Sequence, residues 1–322
     1  MQALVRTEDG LALVERPVPE PPRGKVLVRV RAAPINPNDL MALDDTYEVK
    51  RPVGSILGFE GCGTVVAAGD GVIGRFLLGR EVACAAGEGD GTWAEYAVVE
   101  AMKCAPIDKR TDPQQAAMLL TNPMTAWVLL ETARRGGHRA LVQNAAAGSL
   151  GKMLVRLCAT AKVPLVNLVR RREQADVLRA LGAEHVVVTS EPGADAELKA
   201  LCDQVGVTCA FDAVAGPATG QLASAIGLGG TILVFGMLSG APAQVDANVL
   251  VFKRLTIKGF TMYEWLESTS LLGKLRALRA AQRRLATDLK SEIRATHSLA
   301  EHAAALALVR GATTDGKVLF LP

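Results

Sequence analysis

The sequence has few of the residues from which metal sites, disulfide frameworks and membrane spans are built. Its 322 residues include four histidines and six cysteines, and aromatic residues make up only 4%. No two cysteines form a Cys-x-x-Cys pair and most lie in apolar runs, which predicts reduced thiols and a cytoplasmic protein. No apolar run approaches the length of a membrane helix, and the first ten residues lack a signal-peptide pattern. We therefore expect neither a membrane-spanning helix nor a signal peptide.

The charge balance gives no indication of a polyanionic partner. The formal net charge is +3, from 36 basic and 33 acidic residues that are mixed along the chain. We therefore expect no nucleic-acid or membrane partner, although the small positive excess suits an anionic cofactor. The length predicts two domains, each with its own apolar core.

The clearest pattern runs from Arg139 to Arg172 and predicts a strand, a turn, a helix and a second strand. Residues 140–143 are an apolar run, typical of a strand buried on both faces. Residues 146–151 read AAGSLG, a G-x-G-x-x-G fingerprint with alanine in the first position, and the helix that follows has one apolar stripe. Small residues let the backbone approach a pyrophosphate, and the N-terminus of the helix attracts it. The predicted pyrophosphate ligands are Ala147, Gly148, Ser149, Leu150 and Gly151.

Basic residues after the second strand indicate which dinucleotide is bound. An acidic residue about 20 positions after the turn would accept a hydrogen bond from the 2′-hydroxyl of NAD. This sequence has Arg170, Arg171 and Arg172 there instead. Guanidinium groups bind phosphate through paired, charge-assisted hydrogen bonds, so we predict that these arginines bind the 2′-phosphate of NADP(H). The alternative is a solvated basic loop beside a structural turn.

The whole chain predicts an α/β fold with two kinds of domain. Residues 1–112 contain short strands bounded by turns, which predicts a β-rich, barrel-like domain. Residues 113–262 alternate strands and helices like a doubly wound dinucleotide-binding sheet. Residues 263–322, which include a helix predicted at 264–288, are expected to return to the first domain. The six strands of the sheet are predicted at 140–143, 164–169, 185–188, 208–212, 231–235 and 255–260.

Five stretches resemble one family, the medium-chain dehydrogenase/reductases. They are AAPINPNDL (32–40), GFEGCGTV (58–65), GTWAEY (91–96), AAAGSLG (145–151) and GKVLFLP (316–322). The resemblance covers nearly the whole chain. It implies a GroES-like catalytic domain, completed by the C-terminal residues, around a Rossmann domain, with the active site in the cleft between them. It also implies a homodimer joined through the Rossmann sheet, near Thr231–Phe235.

Many members of that family carry zinc, but this chain differs at the ligand positions. Asn36 stands where the zinc enzymes have a cysteine, and Phe59 where they have the histidine of a Gly-His-Glu motif. Neither side chain replaces a thiolate or an imidazole as a zinc ligand. The four closely spaced cysteines of a structural zinc site are also missing, because no cysteine lies between Cys84 and Cys104. The resemblance is therefore to zinc-free members, without Lewis-acid alcohol oxidation.

Within the zinc-free branch the sequence resembles two subfamilies, the mitochondrial-type 2-enoyl thioester reductases and the quinone oxidoreductases. The first is favoured by TNPMTA (121–126), by NLVRRR (167–172) and by the long segment 250–260, which Tyr263 and Trp265 follow. The substrate stays open between an acyl thioester, a quinone and another α,β-unsaturated carbonyl compound. A third interpretation is a protein that binds NADPH without catalysis, as some members of the branch do.

Reduction of an activated double bond requires a hydride, stabilisation of the enolate oxygen and a proton for the α-carbon. In the thioester reductases, a tyrosine shortly after the Asn-Pro-Ser-Asp turn is assigned to proton donation. Tyr47, eight residues after Asp39, matches it. The alternative is a loop tyrosine that only shields the cleft.

The resemblance implies further cofactor contacts. Asn122 and Thr125 would face the nicotinamide, and Lys317 would return to it from the C-terminus. Seven more contacts would lie at the carboxyl edge of the sheet or beside the nicotinamide, and they are Phe235, Gly236, Met237, Leu238, Phe260, Thr261 and Met262. For Phe235 and Met237, the alternative is core packing.

Overall fold

The computed structural model describes residues 1–87, 89–311 and 315–322. The chain forms two compact units, one of Met1–Pro123 with Lys290–Pro322 and the other of Met124–Leu289. Their boundaries differ from the predicted domains at two places. Residues 113–123 belong to the first unit, and residues 263–289 belong to the second unit rather than returning to the first.

The structure has strands and helices in both units, and this confirms the predicted α/β class. The strands are β1 (Gln2–Thr7), β2 (Gly10–Glu15), β3 (Lys25–Pro34), β4 (Glu60–Ala68), β5 (Glu81–Ala85), β6 (Tyr96–Glu100), β7 (Cys104–Pro106), β8 (Leu141–Gln143), β9 (Leu165–Val169), β10 (His185–Val188), β11 (Cys209–Asp212), β12 (Thr231–Val234), β13 (Thr256–Gly259), β14 (Ile293–His297) and β15 (Lys317–Phe320). The helices are α1 (Pro37–Leu43), α2 (Val72–Leu77), α3 (Pro113–Ala116), α4 (Asn122–Arg135), α5 (Ser149–Ala161), α6 (Arg172–Ala180), α7 (Ala194–Val205), α8 (Pro217–Ala225), α9 (Ala247–Phe252), α10 (Met262–Ser268), α11 (Leu271–Arg284) and α12 (His302–Gly311). Two short 3-10 helices lie at Ala101–Lys103 and Leu299–Glu301.

The first unit is built on two sheets. Strands β1 and β2 form an antiparallel pair, and the larger sheet has the order β14-β15-β3-β4-β5-β7, with β6 also paired to β3. The indole of Trp93 lies at the centre of this core. It packs edge-on against Phe320, with 5.2 Å between ring centroids, and donates a hydrogen bond to the carbonyl of Pro34 at 3.1 Å. Because β15 supplies Phe320, the end of the chain is part of this core.

The second unit contains the predicted parallel sheet. Its strand order is β10-β9-β8-β11-β12-β13, and all pairings are parallel. Strands β8, β9 and β11 are completely buried, which explains their largely apolar sequences. The strand order reverses between β8 and β11, the place where open α/β sheets bind ligands beyond the carboxyl ends of their strands.

Three features of the second unit differ from the expectations. The helix predicted at 264–288 is two helices, because the Ser270 hydroxyl accepts a hydrogen bond from the Gly273 N–H at 3.3 Å and caps α11. Helix α7 has no counterpart in the predictions. Helix α9 likewise has no counterpart in the predictions. Strand β12 is paired on both sides and β13 is the edge of the sheet, and the dimer contact near Thr231–Phe235 stays a prediction.

Within the described ranges, none of the helices has both the length and the apolar character needed to cross a bilayer.

Candidate active site

The glycine-rich turn connects β8 to α5. A Cβ atom at Gly151 would lie 2.3 Å from the carbonyl oxygen of Ala146, so only glycine allows the helix to approach the turn this closely. Ala145 adopts the left-handed conformation, with φ of 48°, and Gly148 is the N-cap of α5. The first N–H groups of α5 have no partner within the helix, which makes this end suitable for a pyrophosphate.

Buried polar side chains connect the ends of β8 and β11. The Asn144 amide donates a hydrogen bond to Asp212 at 2.6 Å and accepts one from the Ala213 N–H at 2.8 Å. The Asp212 carboxylate also accepts hydrogen bonds from the backbone N–H groups of Val214 and Ala215, both at 2.9 Å, and from the Thr219 hydroxyl at 2.6 Å. These bonds fix the loop after β11 where the strand order reverses. Asp212 was not predicted as a site residue, although an acidic residue at the end of an apolar strand is a usable signal.

The three predicted arginines follow β9 and are exposed, but they are not equivalent. The Nε of Arg172 lies 2.5 Å from the Oε1 of Glu191, so this guanidinium is already paired. The backbone N–H groups of Arg170 and Arg171 both donate to the side-chain oxygen of Gln174 at 3.1 Å. Their guanidinium groups have no acceptor among the residues that the structure describes. Two arginines are therefore available for a phosphate.

The segment after β12 lies against the end of β11. The Phe235 N–H donates to the carbonyl of Asp212 at 2.9 Å, and the Leu238 N–H donates to that of Ala213 at 3.1 Å. A Cβ at Gly236 would lie 2.6 Å from the same Ala213 oxygen, which explains why this position is occupied by glycine. Met237 is 49% exposed and Leu238 is 57% exposed, so Met237 is not a core residue.

The other predicted cofactor contacts lie near helix starts. Phe260 follows β13, and its N–H donates to the carbonyl of Val234 at 2.8 Å. Thr261 caps α10, which begins at Met262. Asn122 is the first residue of α4, and Thr125 is buried in the first turn of that helix.

The first unit contains a group of buried polar residues, Asn36, Asp39, Glu60 and Lys317, which we call the buried polar cluster. The Asn36 amide donates to Glu60 at 2.8 Å and accepts a hydrogen bond from the ammonium group of Lys317. The Asp39 carboxylate accepts hydrogen bonds from the backbone N–H groups of Asn36, at 2.7 Å, and Phe59, at 2.9 Å. Lys317, a predicted cofactor contact, is thus bonded inside its own unit.

Burial changes the proton affinity of all three charged groups in this cluster. It raises the pKa of Asp39 to about 7, even though two backbone N–H groups oppose the change. Burial also raises the pKa of Glu60, against the hydrogen bond from Asn36 and the charge of Lys317. The pKa of Lys317 is lowered by burial. Asp39 therefore changes its protonation state near neutral pH.

The buried polar cluster includes Asn36, which stands at the position of a zinc ligand in the resemblance, and it does not fit a metal. The Asn36 amide is already bonded to Glu60 and Lys317, and the ammonium group of Lys317 would repel a dication. Phe59 offers only a phenyl ring. Across the described part of the chain, no group of three or more His, Cys, Asp or Glu residues is placed to hold a metal ion.

Tyr47 and Arg51 both contact Phe59. Tyr47 is half-buried in the loop after α1, and its ring meets that of Phe59 edge-on, with 5.6 Å between centroids. The guanidinium carbon of Arg51 lies 4.5 Å from the centroid of the same ring. Burial, and secondarily the charge of Asp39, raises the pKa of the Tyr47 hydroxyl. This phenol is therefore protonated at neutral pH. Arg51 was not among the predicted site residues.

The chain matches known proteins over most of its length. Residues 22–109 match the alcohol dehydrogenase GroES-like domain, and residues 149–276 match the zinc-binding dehydrogenase domain. The mitochondrial enoyl-[acyl-carrier-protein] reductase of Arabidopsis thaliana is 32% identical over 288 residues, which span 86% of this chain and 75% of that protein. The enzyme of the same name from Caenorhabditis elegans is 30% identical over 262 residues, spanning 79% and 74%. The chain belongs to the medium-chain dehydrogenase/reductases.

This medium-chain dehydrogenase/reductase is also similar to solved structures. One is a protein from Mesorhizobium loti with a provisional assignment as an NADPH:quinone reductase. It has a TM-score of 0.91 and 30% identity, and the match covers 100% of this chain and 98% of that one. The family resemblance found in the sequence is confirmed, and the chain is an oxidoreductase. Both subfamilies that the sequence resembles are represented among these relatives.

Proposed function

We propose that this chain is an NADPH-dependent reductase of activated carbon–carbon double bonds, with a 2-enoyl thioester as its substrate. The observation that carries the proposal is the half-buried Tyr47, whose hydroxyl stays protonated beside Phe59. A protonated phenol is the group that the reaction needs after hydride addition. The enoyl reductases among the relatives support the same substrate class.

The residues of the second unit fit the proposed cofactor. The close approach at Gly151 and the N-terminus of α5 would hold its pyrophosphate, and Arg170 and Arg171 would bind its 2′-phosphate. The loop after β12, fixed by Asp212, would border the nicotinamide end. When bound, NADPH supplies the hydride.

Residues of the first unit would supply the proton. Hydride addition at the β-carbon places negative charge on the carbonyl oxygen, and the α-carbon then takes a proton. Tyr47 would donate this proton from its hydroxyl. The charge of Asp39 acts on Tyr47, and because its pKa is about 7, this carboxyl changes protonation in the working pH range.

The proposal is tested by following NADPH oxidation with crotonyl-CoA and with a simple quinone in parallel. Fast oxidation with the thioester and little with the quinone is the expected result. The reverse would assign the chain to quinone reduction, which needs no dedicated proton donor. If NADPH binds and neither compound is reduced, the chain is a non-catalytic NADPH-binding protein or acts on another substrate class.

We also propose that two copies associate through β13. All four residues of this edge strand are exposed, and apolar side chains nearby are more than 60% exposed at Phe252, Tyr263 and Leu272. Pairing of two β13 strands would cover an open sheet edge and these side chains. Ile257→Lys should convert a dimer into a monomer in light scattering, and an unchanged mass would contradict this contact. The cytoplasmic location stays a prediction.

A further inference from the structure

Arg51 is a buried arginine whose hydrogen-bonding capacity is only partly used. The residue is 1% exposed, and its Nη1 donates to the carbonyl of Gly89. Its Nε and Nη2 atoms are buried and have no hydrogen-bond partner among the residues that the structure describes. Buried N–H groups are nearly always paired in folded proteins, because leaving one without an acceptor is costly. The two unpaired groups therefore indicate a missing acceptor.

The positions of the two unpaired groups indicate which kind of acceptor fits. The Nε–H and one Nη2–H lie side by side on one edge of the planar guanidinium group and point in parallel directions. This edge matches the two oxygens of a carboxylate, which accept two parallel hydrogen bonds at once. A single carbonyl oxygen, as in a ketone, a quinone or a thioester, would occupy only one of the two positions.

Among the described residues, the two carboxylates whose charges act on Arg51, Asp39 and Asp90, already accept other hydrogen bonds. Both oxygens of Asp39 accept backbone N–H groups, from Asn36 and Phe59. Asp90 accepts a hydrogen bond from the Ile56 N–H at 2.9 Å and lies 3.6 Å from Arg16. In the described ranges, no acidic side chain hydrogen-bonds to the free edge of Arg51. The acceptor is therefore not supplied by these residues.

The free edge of Arg51 belongs to the neighbourhood of the proposed proton donor. Arg51 and Tyr47 are four positions apart in the loop between α1 and β4, and both contact the ring of Phe59. A group bound to Arg51 thus lies close to the ring against which Tyr47 packs. Proximity of this kind is how a binding residue orients a substrate for proton transfer.

We infer that Arg51 binds a carboxylate of the substrate, so that the substrate class is unsaturated carbonyl compounds that also carry a free carboxylate. This inference rests on the proposed double-bond reduction and narrows its substrate to enoyl compounds that also carry a free carboxylate, so that crotonyl-CoA, which has none, tests the reaction alone. In the small analogue 4-oxopent-2-enoate, a ketone takes the place of the thioester in activating the double bond, and the carboxylate binds Arg51. NADPH gives a hydride to one carbon and Tyr47 gives a proton to the other; Tyr47 then takes a proton from water, so that the net products are 4-oxopentanoate and NADP⁺.

The test compares 4-oxopent-2-enoate with its methyl ester, which keeps the enone and lacks the charge. The wild type should favour the acid by about ten- to a hundred-fold in kcat/KM, the usual value of hydrogen bonds to a charged group. Arg51→Gln should bring this ratio close to one, and Arg51→Lys, which keeps the charge without the paired edge, should give an intermediate ratio. Arg110→Gln changes an exposed arginine of the same unit and should leave the ratio unchanged.

A binding measurement separates this inference from the proposed function. Titration calorimetry of the NADP⁺-saturated protein with 4-oxopentanoate and its methyl ester needs no turnover. One outcome is that neither unsaturated compound is reduced, while the wild type binds 4-oxopentanoate more tightly than its methyl ester and Arg51→Gln does not. The proposed reaction is then wrong and the carboxylate site is confirmed. The other outcome is that the wild type reduces both unsaturated compounds equally well and binds the acid and the ester equally. The carboxylate site is then wrong, because water occupies the unpaired edge of the Arg51 guanidinium group, and the proposed reaction is retained.

Discussion

The ammonium group of Lys317 donates a hydrogen bond to the amide oxygen of Asn36, although 281 positions separate the two residues in the chain. The same amide donates to Glu60, so a cation from β15 compensates a carboxylate at the start of β4. A buried carboxylate without such a partner would be strongly destabilising. The buried polar cluster thus links the two chain segments of the first unit through charge.

Asp39→Asn is expected to change the pH dependence of stability. The folded state holds the Asp39 proton up to a pH of about 7, whereas the unfolded chain releases it near the ordinary pKa of 3.8. The wild type should therefore lose stability relative to the variant as the pH rises between these two values, by on the order of 4 kcal/mol. Urea unfolding of both proteins from pH 4.5 to 8 measures this. A difference that is independent of pH would contradict the raised pKa.

Gly151→Ala should weaken NADPH binding by about ten- to a hundred-fold, since forcing a methyl group into a packed position typically costs a few kcal/mol. The new Cβ would lie 2.3 Å from the Ala146 oxygen and push α5 away from the turn. Fluorescence titration with NADPH measures the loss. Gly311→Ala is the matched control, because, apart from its chain neighbours and its own helix backbone, no described residue has a heavy atom within 4 Å of a Cβ there. Equal affinities for both variants would remove the turn from the cofactor site.

The double variant Arg170→Ala, Arg171→Ala should lose NADPH affinity by about ten- to a hundred-fold, because charge-assisted hydrogen bonds to the 2′-phosphate disappear. NADH affinity should hardly change. Arg172→Ala should have a smaller effect, since this side chain is paired with Glu191. Arg179→Ala, on the same α6 and paired with Asp176, is the control. An equal loss of affinity for NADPH and for NADH would contradict recognition of the 2′-phosphate.

Tyr47→Phe should reduce kcat by about a hundred-fold or more, the usual contribution of a positioned proton donor. NADPH affinity should stay near the wild-type value, because only the hydroxyl is removed. The edge-on contact with Phe59 is kept in this variant. Steady-state kinetics with crotonyl-CoA measures the effect, and Tyr96→Phe serves as the control. An unchanged kcat would leave Tyr47 as a residue that only shields the site.

Much of the second unit could be predicted because its chemistry is local in sequence. Buried parallel strands such as β8 and β9 are short apolar runs, and the turn at 146–151 directly precedes its helix. Helix α7 was missed although its signals are in the sequence: Gly193 precedes it, Gly206 ends it in the left-handed conformation, and Leu198 and Cys202 give it a buried face. The break in the helix predicted at 264–288 depends on one serine cap, which a long charged amphipathic pattern conceals.

The buried polar cluster could not be predicted in this way. Its members, from Asn36 to Lys317, are brought together by strand pairing between distant segments, and no spacing rule connects them. Glu60 gave a weak signal, as an acid within a glycine-rich, apolar stretch. Arg51 gave none, because a basic residue in a polar loop is normally solvated. Its burial and its unpaired edge become visible only in three dimensions.

The position of β15 between β14 and β3 has a consequence for biosynthesis. The first unit consists of two segments, and its large sheet lacks an inner strand until residues 317–320 have left the ribosome. The second unit is one continuous stretch, so its whole sequence is available earlier. Because contacts between distant residues form slowly and domains usually fold as units, we expect the dinucleotide-binding unit to fold first during translation. The first unit would then wait for β15, and until it pairs, Trp93 lacks the contact with Phe320 and part of the apolar core stays uncovered.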